Sequence, residues 1–198
     1  MIVLADNDII HKLACCELLP ELLNWLNAPP TQVWVLPSLP FMLRRKLKAD
    51  TSALTCVEDF LLKVQPIPAA PLPLVERFSQ LDTGERQMLA VLVDNEKVSK
   101  LITGDKRALK LISEMVLTDS NLSRRLDETQ VDCLESIMLG LIDKFGFAAI
   151  NAKAIRGLTA DGVLSMTFGG MRTQTHAVEA LSSYLADVRA YAAFVVVK

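Results

Sequence analysis

Three acidic residues stand where apolar runs give way to helical spacing. Asp6 closes Ile2-Val3-Leu4-Ala5, Glu85 follows Gly84 in LDTGERQML, and Asp105 follows Gly104 in LITGDKRAL. Strand ends in a parallel sheet share one edge, and open α/β sheets do their chemistry there. Asp6 and Asp105 are expected to converge on that edge, with Glu85 joining them if its helix begins there. Carboxylates gathered without basic partners raise one another's pKa. A hard divalent cation, Mg2+ or Mn2+, relieves that repulsion because it takes oxygen ligands and keeps part of its water shell. Such a site suits phosphodiester hydrolysis by a metal-activated water.

Each acid also has a plainer reading. Asp6 and Asp105 sit where helix caps belong, although Asp8 is the better cap for the first helix and leaves Asp6 free to act as a ligand. Glu85 in a first helical turn complements the helix dipole. The basic residues Lys106 and Arg107 directly follow Asp105 and are the leading candidates to hold a substrate phosphate. Arg44, Arg45, Lys46, Lys48 and Lys110 read more simply as solvated helix faces. His11 and His176 are isolated, and Trp25 and Trp34 read as core residues.

The elements that must position these acids follow from the apolar periodicity. Residues 2–5, 33–36 and 100–103 are short apolar runs suited to buried parallel strands, and MVLT at 115–118 is a fourth. Helical spacing runs from Ile9 to Leu18, from Pro20 to Asn27, and from Ser38, as cap, to Lys48. It resumes after a cap at Asp50, Thr51 or Ser52, and again over ERQMLAVLVDNE, KRALKLISE, 120–129, 131–144 and 174–192. The proline-rich segment QPIPAAPLPL at 65–74 reads as an extended connector across the surface. The closing AAFVVVK either finishes the last helix or adds an edge strand. Strands alternating with helices indicate an α/β fold, expected as a three-layer sandwich around a short parallel sheet, with the main domain at 1–145 and a helical extension at 146–198 packed on it.

Bulk properties narrow the class. With 198 residues, 51% of them hydrophobic, the chain can bury a core and is not disordered. A net charge of −2 supplies no general attraction to polyanions, so any polyanion contact must use local basic patches. Cys15, Cys16, Cys56 and Cys133 form no CxxC pair and read as reduced thiols of a cytoplasmic protein. No uninterrupted apolar run reaches about 18 residues, so no membrane span is expected.

The motifs IVLADNDIIHKLA, LDTGERQMLAVLV and LITGDKRALKLI, in this order and spacing, resemble those of the PIN-domain nucleases. The resemblance covers about 1–140. It implies that Asp6, Glu85 and Asp105 are catalytic metal ligands, that Asp8 is the adjacent polar position, and that Thr103 belongs to the Thr-x-Asp motif. It implies a Mg2+- or Mn2+-dependent ribonuclease, often the toxin of a toxin–antitoxin pair, whose small partner protein covers the acidic edge. The apolar C-terminal block reads equally as a homodimer face or as a long buried helix. Two departures stand out. PSLPFMLRRKL has no acid where many members carry one, leaving Ser38 as a polar stand-in, and the fourth late acid is open among Asp119, Asp127 and Glu135.

Two other classes compete. A PIN-like fold lacking a ligand would act as an RNA-binding or protein-interaction module. The opening VLADNDI also resembles the haloacid-dehalogenase-like phosphatases, with Asp6 as nucleophile and Asp8 as acid/base, but KRALK lacks the further late Asp which that family needs.

Overall fold

The computed structural model describes residues 1–195. Strand β1 (Ile2–Ala5) leads into helices α1 (Asn7–Cys15) and α2 (Leu19–Leu26), and β2 (Val33–Val35) into α3 (Leu39–Lys46) and α4 (Thr51–Leu61). Next come β3 (Gln65–Pro66), α5 (Leu72–Arg77), α6 (Thr83–Asp94), β4 (Val98–Ile102), α7 (Lys106–Val116), α8 (Ser120–Asp127) and β5 (Gln130–Asp132). Helices α9 (Leu134–Phe145), α10 (Phe147–Ala154), α11 (Gly162–Thr167) and α12 (Gln174–Arg189) follow.

The strands form one parallel sheet in the order β3-β2-β1-β4-β5. The chain winds outward from β1 to β3, then returns to place β4 on the other side of β1. Strand order therefore reverses between β1 and β4, the point where such sheets leave a crevice at their carboxyl edge.

Both faces of the sheet are covered, which is why β1 is buried along its whole length and reads as an unbroken apolar run. On one face Val3, Ala5, Val33, Val35 and Ile102 pack with α1 through Ile9, Ile10 and Leu13, and with α9 through Ile137, Met138 and Leu141. On the other, Leu4 and Leu101 pack with α6 and with α7 through Ala108, Leu109 and Ile112. This is the expected three-layer α/β sandwich. The two helices that leave β1 and β4 thus part to opposite layers and open the crevice between them.

Residues beyond 145 belong to both layers. Ile150, Ala154, Leu164, Phe168, Ala177 and Leu181 join the α1 side, whereas Leu185, Val188, Ala192 and Val195 join the α7 side. Helix α12 therefore runs past the β5 edge, and Val195 makes an isolated parallel bridge to Val131. Covering that edge removes unpaired backbone groups from reach of other chains. The last residues of AAFVVVK, 196–198, lie outside the described residues.

Several local expectations are corrected. MVLT is not a strand: α7 continues to Val116, and Leu117 is left exposed in the following turn. The segment 131–144 is not wholly helical, because Gln130–Asp132 forms β5 before α9 begins. The connector 65–74 is only partly extended. Gln65 and Pro66 pair with β2 at the sheet edge, and α5 starts at Leu72. Strand β4 begins two residues before the expected Lys100 and ends at Ile102. Asp6, not Asp8, occupies the N-cap of α1, and Asp8 lies inside the first turn.

Candidate metal centre

Asp6 is the first residue past β1, and its backbone N–H donates to Ile102 O at 2.9 Å, so the end of β4 holds it in the crevice. It has the extended backbone of an N-cap, but its side chain accepts no capping hydrogen bond from α1. The carboxylate is 9% exposed and remains available.

Glu85 arrives from the other layer. Gly84 makes this approach feasible, since a Cβ there would lie 2.6 Å from Leu36 Cδ1. The start of α6 therefore packs directly onto the segment after β2. A reciprocal capping box fixes the turn. Asp82 Oδ1 accepts the Glu85 N–H at 2.9 Å, and Glu85 Oε2 accepts the Asp82 N–H at 3.1 Å.

Asp105 caps α7, with Oδ1 accepting from the N–H groups of Arg107 at 2.7 Å and Ala108 at 3.0 Å. These bonds leave Oδ2 available. Gly104 just before it allows the loop to touch α1, because a Cβ would lie 2.5 Å from Ile9 Cδ1.

Asp6, Asp82, Glu85 and Asp105 line one cleft of about 310 Å3. A smaller recess of about 160 Å3 shares Asp82, Glu85 and Asp105 and is bordered by Arg107. Burial, followed by the charge of Asp8, pushes the Asp6 carboxyl up to about 7. The Asn7 backbone N–H opposes this, while Glu85 and Asp82 push further upward. Glu85 is raised as well, chiefly by burial, with Asp82 and Asp105 contributing against the Asp82 N–H and Arg107. The cleft thus concentrates negative charge, with Lys46 as the one basic residue among the described lining residues.

The remaining predicted residues divide by position. Asp8 lines the cleft but is bound to Lys12 Nζ at 2.6 Å. Ser38 lies at the rim, where its hydroxyl accepts from Asn7 Nδ2 at 3.1 Å. It does not cap α3 through its side chain. Thr103 is buried behind the cleft, and its N–H continues the ladder to Asp132 O at 3.0 Å. Glu135 is buried in the first turn of α9, past the end of β5 and outside the cleft lining, with Lys106 Nζ 3.9 Å away. Asp119 caps α8 and pairs with Arg77. Asp127 is exposed at the end of α8, just ahead of β5, which puts it at the opposite edge of the sheet.

The cations are distributed differently from their sequence order. Arg107 borders the recess, whereas Lys106 turns towards Glu135 and the Tyr184 ring. Lys46 lines the cleft, one turn of α3 beyond Met42, which also faces it. Arg44 instead pairs with Glu58 at 2.6 Å. His11 lies beside Cys15 Sγ at 3.7 Å, and His176 is exposed in the first turn of α12. The cysteines are free, and burial pushes the thiols of Cys16 and Cys133 up to about 12, where they are poor nucleophiles.

Asp82 is not among the sequence-predicted site residues, yet the structure brings it to the cleft. The signal was present in Asp82-x-x-Glu85, a capping-box pattern that must bring its two carboxylates to one turn. Asn7 is a second such residue. Its Oδ1 is buried and has no hydrogen-bond partner among the described residues.

The donor chemistry fits a hard cation. The free oxygens of Asp6, Glu85 and Asp105 and the unpartnered Asn7 Oδ1 are all hard ligands. Among the described residues, no three His, Cys, Asp or Glu side chains are close enough to enclose an ion by themselves. Among the described residues, no helix is long and apolar enough to cross a membrane. The chain matches no protein-family model, no curated protein and no solved structure.

Proposed function

We propose that the chain is a divalent-metal-dependent ribonuclease of the PIN type. The observation that carries this reading is the cleft at the β1–β4 reversal, where Asp6, Glu85 and Asp105 are gathered with Asp82. A bound Mg2+ or Mn2+ would supply a water of lowered pKa and neutralise charge developing on the phosphate. Asp6, Glu85 and Asp105 would hold the ion, while Asp82 orients Glu85 through the capping box. Lys46 and Arg107, at separate parts of the rim, would attract the phosphates on either side of the scissile bond. A small antitoxin covering this acidic edge belongs to the same reading.

Asp6→Asn and Asp105→Asn should each abolish Mn2+-stimulated cleavage of single-stranded RNA without loss of fold. Full cleavage by both variants, or none by the unaltered chain with any divalent metal, rules the nuclease out. One alternative is a PIN-like RNA-binding module without turnover, favoured because no three-residue metal cage occurs among the described residues. RNA retention by a chain that never cleaves selects it. Asp8 is tied to Lys12 Nζ at 2.6 Å instead of standing free beside Asp6, which argues against the phosphatase. A phospho-aspartate trapped at Asp6 would reinstate it.

A further inference from the structure

A second cavity lies away from the acidic cleft, on the α9 side of the sheet. It measures about 620 Å3, within the range of small-molecule sites. Its floor is polar. Lys100 on β4 and Gln130 and Asp132 on β5 point to the same face, in the register Lys100↔Gln130 and Ile102↔Asp132. Lys100 Nζ lies 3.0 Å from Asp132 Oδ2, with side-chain exposures of only 10% and 3%. Gln130 Nε2 donates to the same carboxylate at 2.9 Å and Ser136 Oγ at 3.1 Å, so Asp132 is well partnered through both oxygens.

Lys100 is not. An ammonium has three donors. One meets Asp132, and the Trp25 ring covers another side at 4.4 Å from its centroid. Among the described residues no second oxygen acceptor meets Nζ, although removing this group from water is costly unless its hydrogen bonds are replaced. Trp25 also lines the cavity, seated against Gly140, where a Cβ would overlap the indole Nε1. Opposite the polar floor, Val178 and Leu185 of α12 provide an apolar wall, with the Gln174 amide at the rim.

We propose that this cavity binds a neutral heterocycle of nucleobase or nucleoside size. A ring oxygen or nitrogen would accept from Lys100, the ring body would lie along Val178 and Leu185, and Gln174 would pair with a neighbouring donor–acceptor edge. A Gln amide recognises such edges with two hydrogen bonds at once. Charge excludes anions: Lys100 is cancelled by Asp132, and Asp143 adds a further negative charge at the lining. The site is independent of the proposed nuclease cleft, sharing no residue with it.

The test is calorimetric titration of the full chain with adenosine, cytidine and uridine, using AMP as the charged control. At least one nucleoside should bind with one-to-one stoichiometry, and its affinity should exceed that of the matching monophosphate by about tenfold, about 1.4 kcal/mol. Val178→Trp fills the apolar wall without removing a polar group and should abolish binding. Gln174→Ala, at an exposed position, should weaken it while leaving the unfolding midpoint unchanged. Three results would overturn the assignment: no binding of any nucleoside at millimolar concentration, equal binding by a folded Val178→Trp chain, or AMP binding as tightly as adenosine. If Val178→Trp fails to fold, unaltered affinity in Gln174→Ala is sufficient to overturn it.

Discussion

Asp82 and Glu85 each use a carboxylate to hold the other's backbone N–H, at 2.9 and 3.1 Å. The same pair faces the cleft that contains Asp6. One local motif therefore starts α6 and aims a candidate ligand. Asp82→Ala should lower stability by about 1 kcal/mol, the usual cost of losing a cap, as measured by urea unfolding. It should also reduce the proposed nuclease activity, because Glu85 loses the Asp82 contact that fixes its turn. Asp82→Asn, which keeps the capping acceptor, should restore most of the stability. Equal destabilisation by Asn and Ala would show that the cap is not what holds the turn.

The raised pKa of Asp6 makes stability depend on pH in a defined direction. In the unfolded chain Asp6 titrates near about 3.9, and in the folded chain at about 7. Between these values the native state holds the extra proton. This contribution to stability is therefore greatest at low pH, declines as pH rises from about 4 to 7, and is lost above that. Its upper magnitude is about 4 kcal/mol, from roughly three pKa units at 1.36 kcal/mol each. Asp6→Asn should consequently be more stable than the unaltered chain at pH 8, with the difference shrinking towards pH 4. Parallel stability curves for the two chains across that interval would contradict the shift.

Proton and metal should compete for the same carboxylate. Below pH 7 a divalent ion must displace the Asp6 proton, so affinity should rise by about tenfold per pH unit and then level off. Mg2+ or Mn2+ should raise the unfolding temperature more at pH 8 than at pH 5.5, because an ion that binds only the native state stabilises it by mass action. Asp6→Asn should remove most of this increment. A thermal shift that is equal at both pH values would show that the ion binds elsewhere.

Arg125 offers a test of the scaffold remote from the cleft. Its buried guanidinium donates to Leu92 O at 3.0 Å, Asn95 O at 3.2 Å and Val98 O at 2.8 Å, and to Glu128 at 2.7 Å. It ties the end of α6 and the start of β4 to α8. Arg125→Met should cost about 3 kcal/mol, because buried carbonyls lose their donors. The urea midpoint should fall with little change in its slope. A loss under about 0.5 kcal/mol, within the range of ordinary surface substitutions, would contradict this role.

Some elements were readable because local pattern and final environment agree. IVLA and VWV are apolar because both sheet faces are covered, and the stripe Ile9, Ile10, Leu13 and Ala14 buries one side of α1. Strand β5 was not readable. Its Gln130 and Asp132 are polar yet face inward, a placement that depends on Lys100 thirty residues away. MVLT is the opposite case, since Met115 and Val116 complete the last turn of α7 and Leu117 and Thr118 form the turn after it. Asp127 and Glu135 were equally near in sequence to a late acidic position. Only the path of β5 separates them, since one precedes the strand and the other follows it.

The sequence by itself determined the alternation of strands and helices and the positions of Asp6, Glu85 and Asp105 at element boundaries, because periodicity and capping are local properties. Tertiary structure decided which boundaries meet. The reversal of strand order between β1 and β4 opened the crevice, and the close approaches at Gly84 and Gly104 brought α6 and the β4–α7 loop to its sides. That packing added Asp82, Asn7 and Lys46 to the cleft and turned Lys106 away from it. Burial then raised the pKa of Asp6, a change that arises only when neighbouring layers exclude water from its carboxyl.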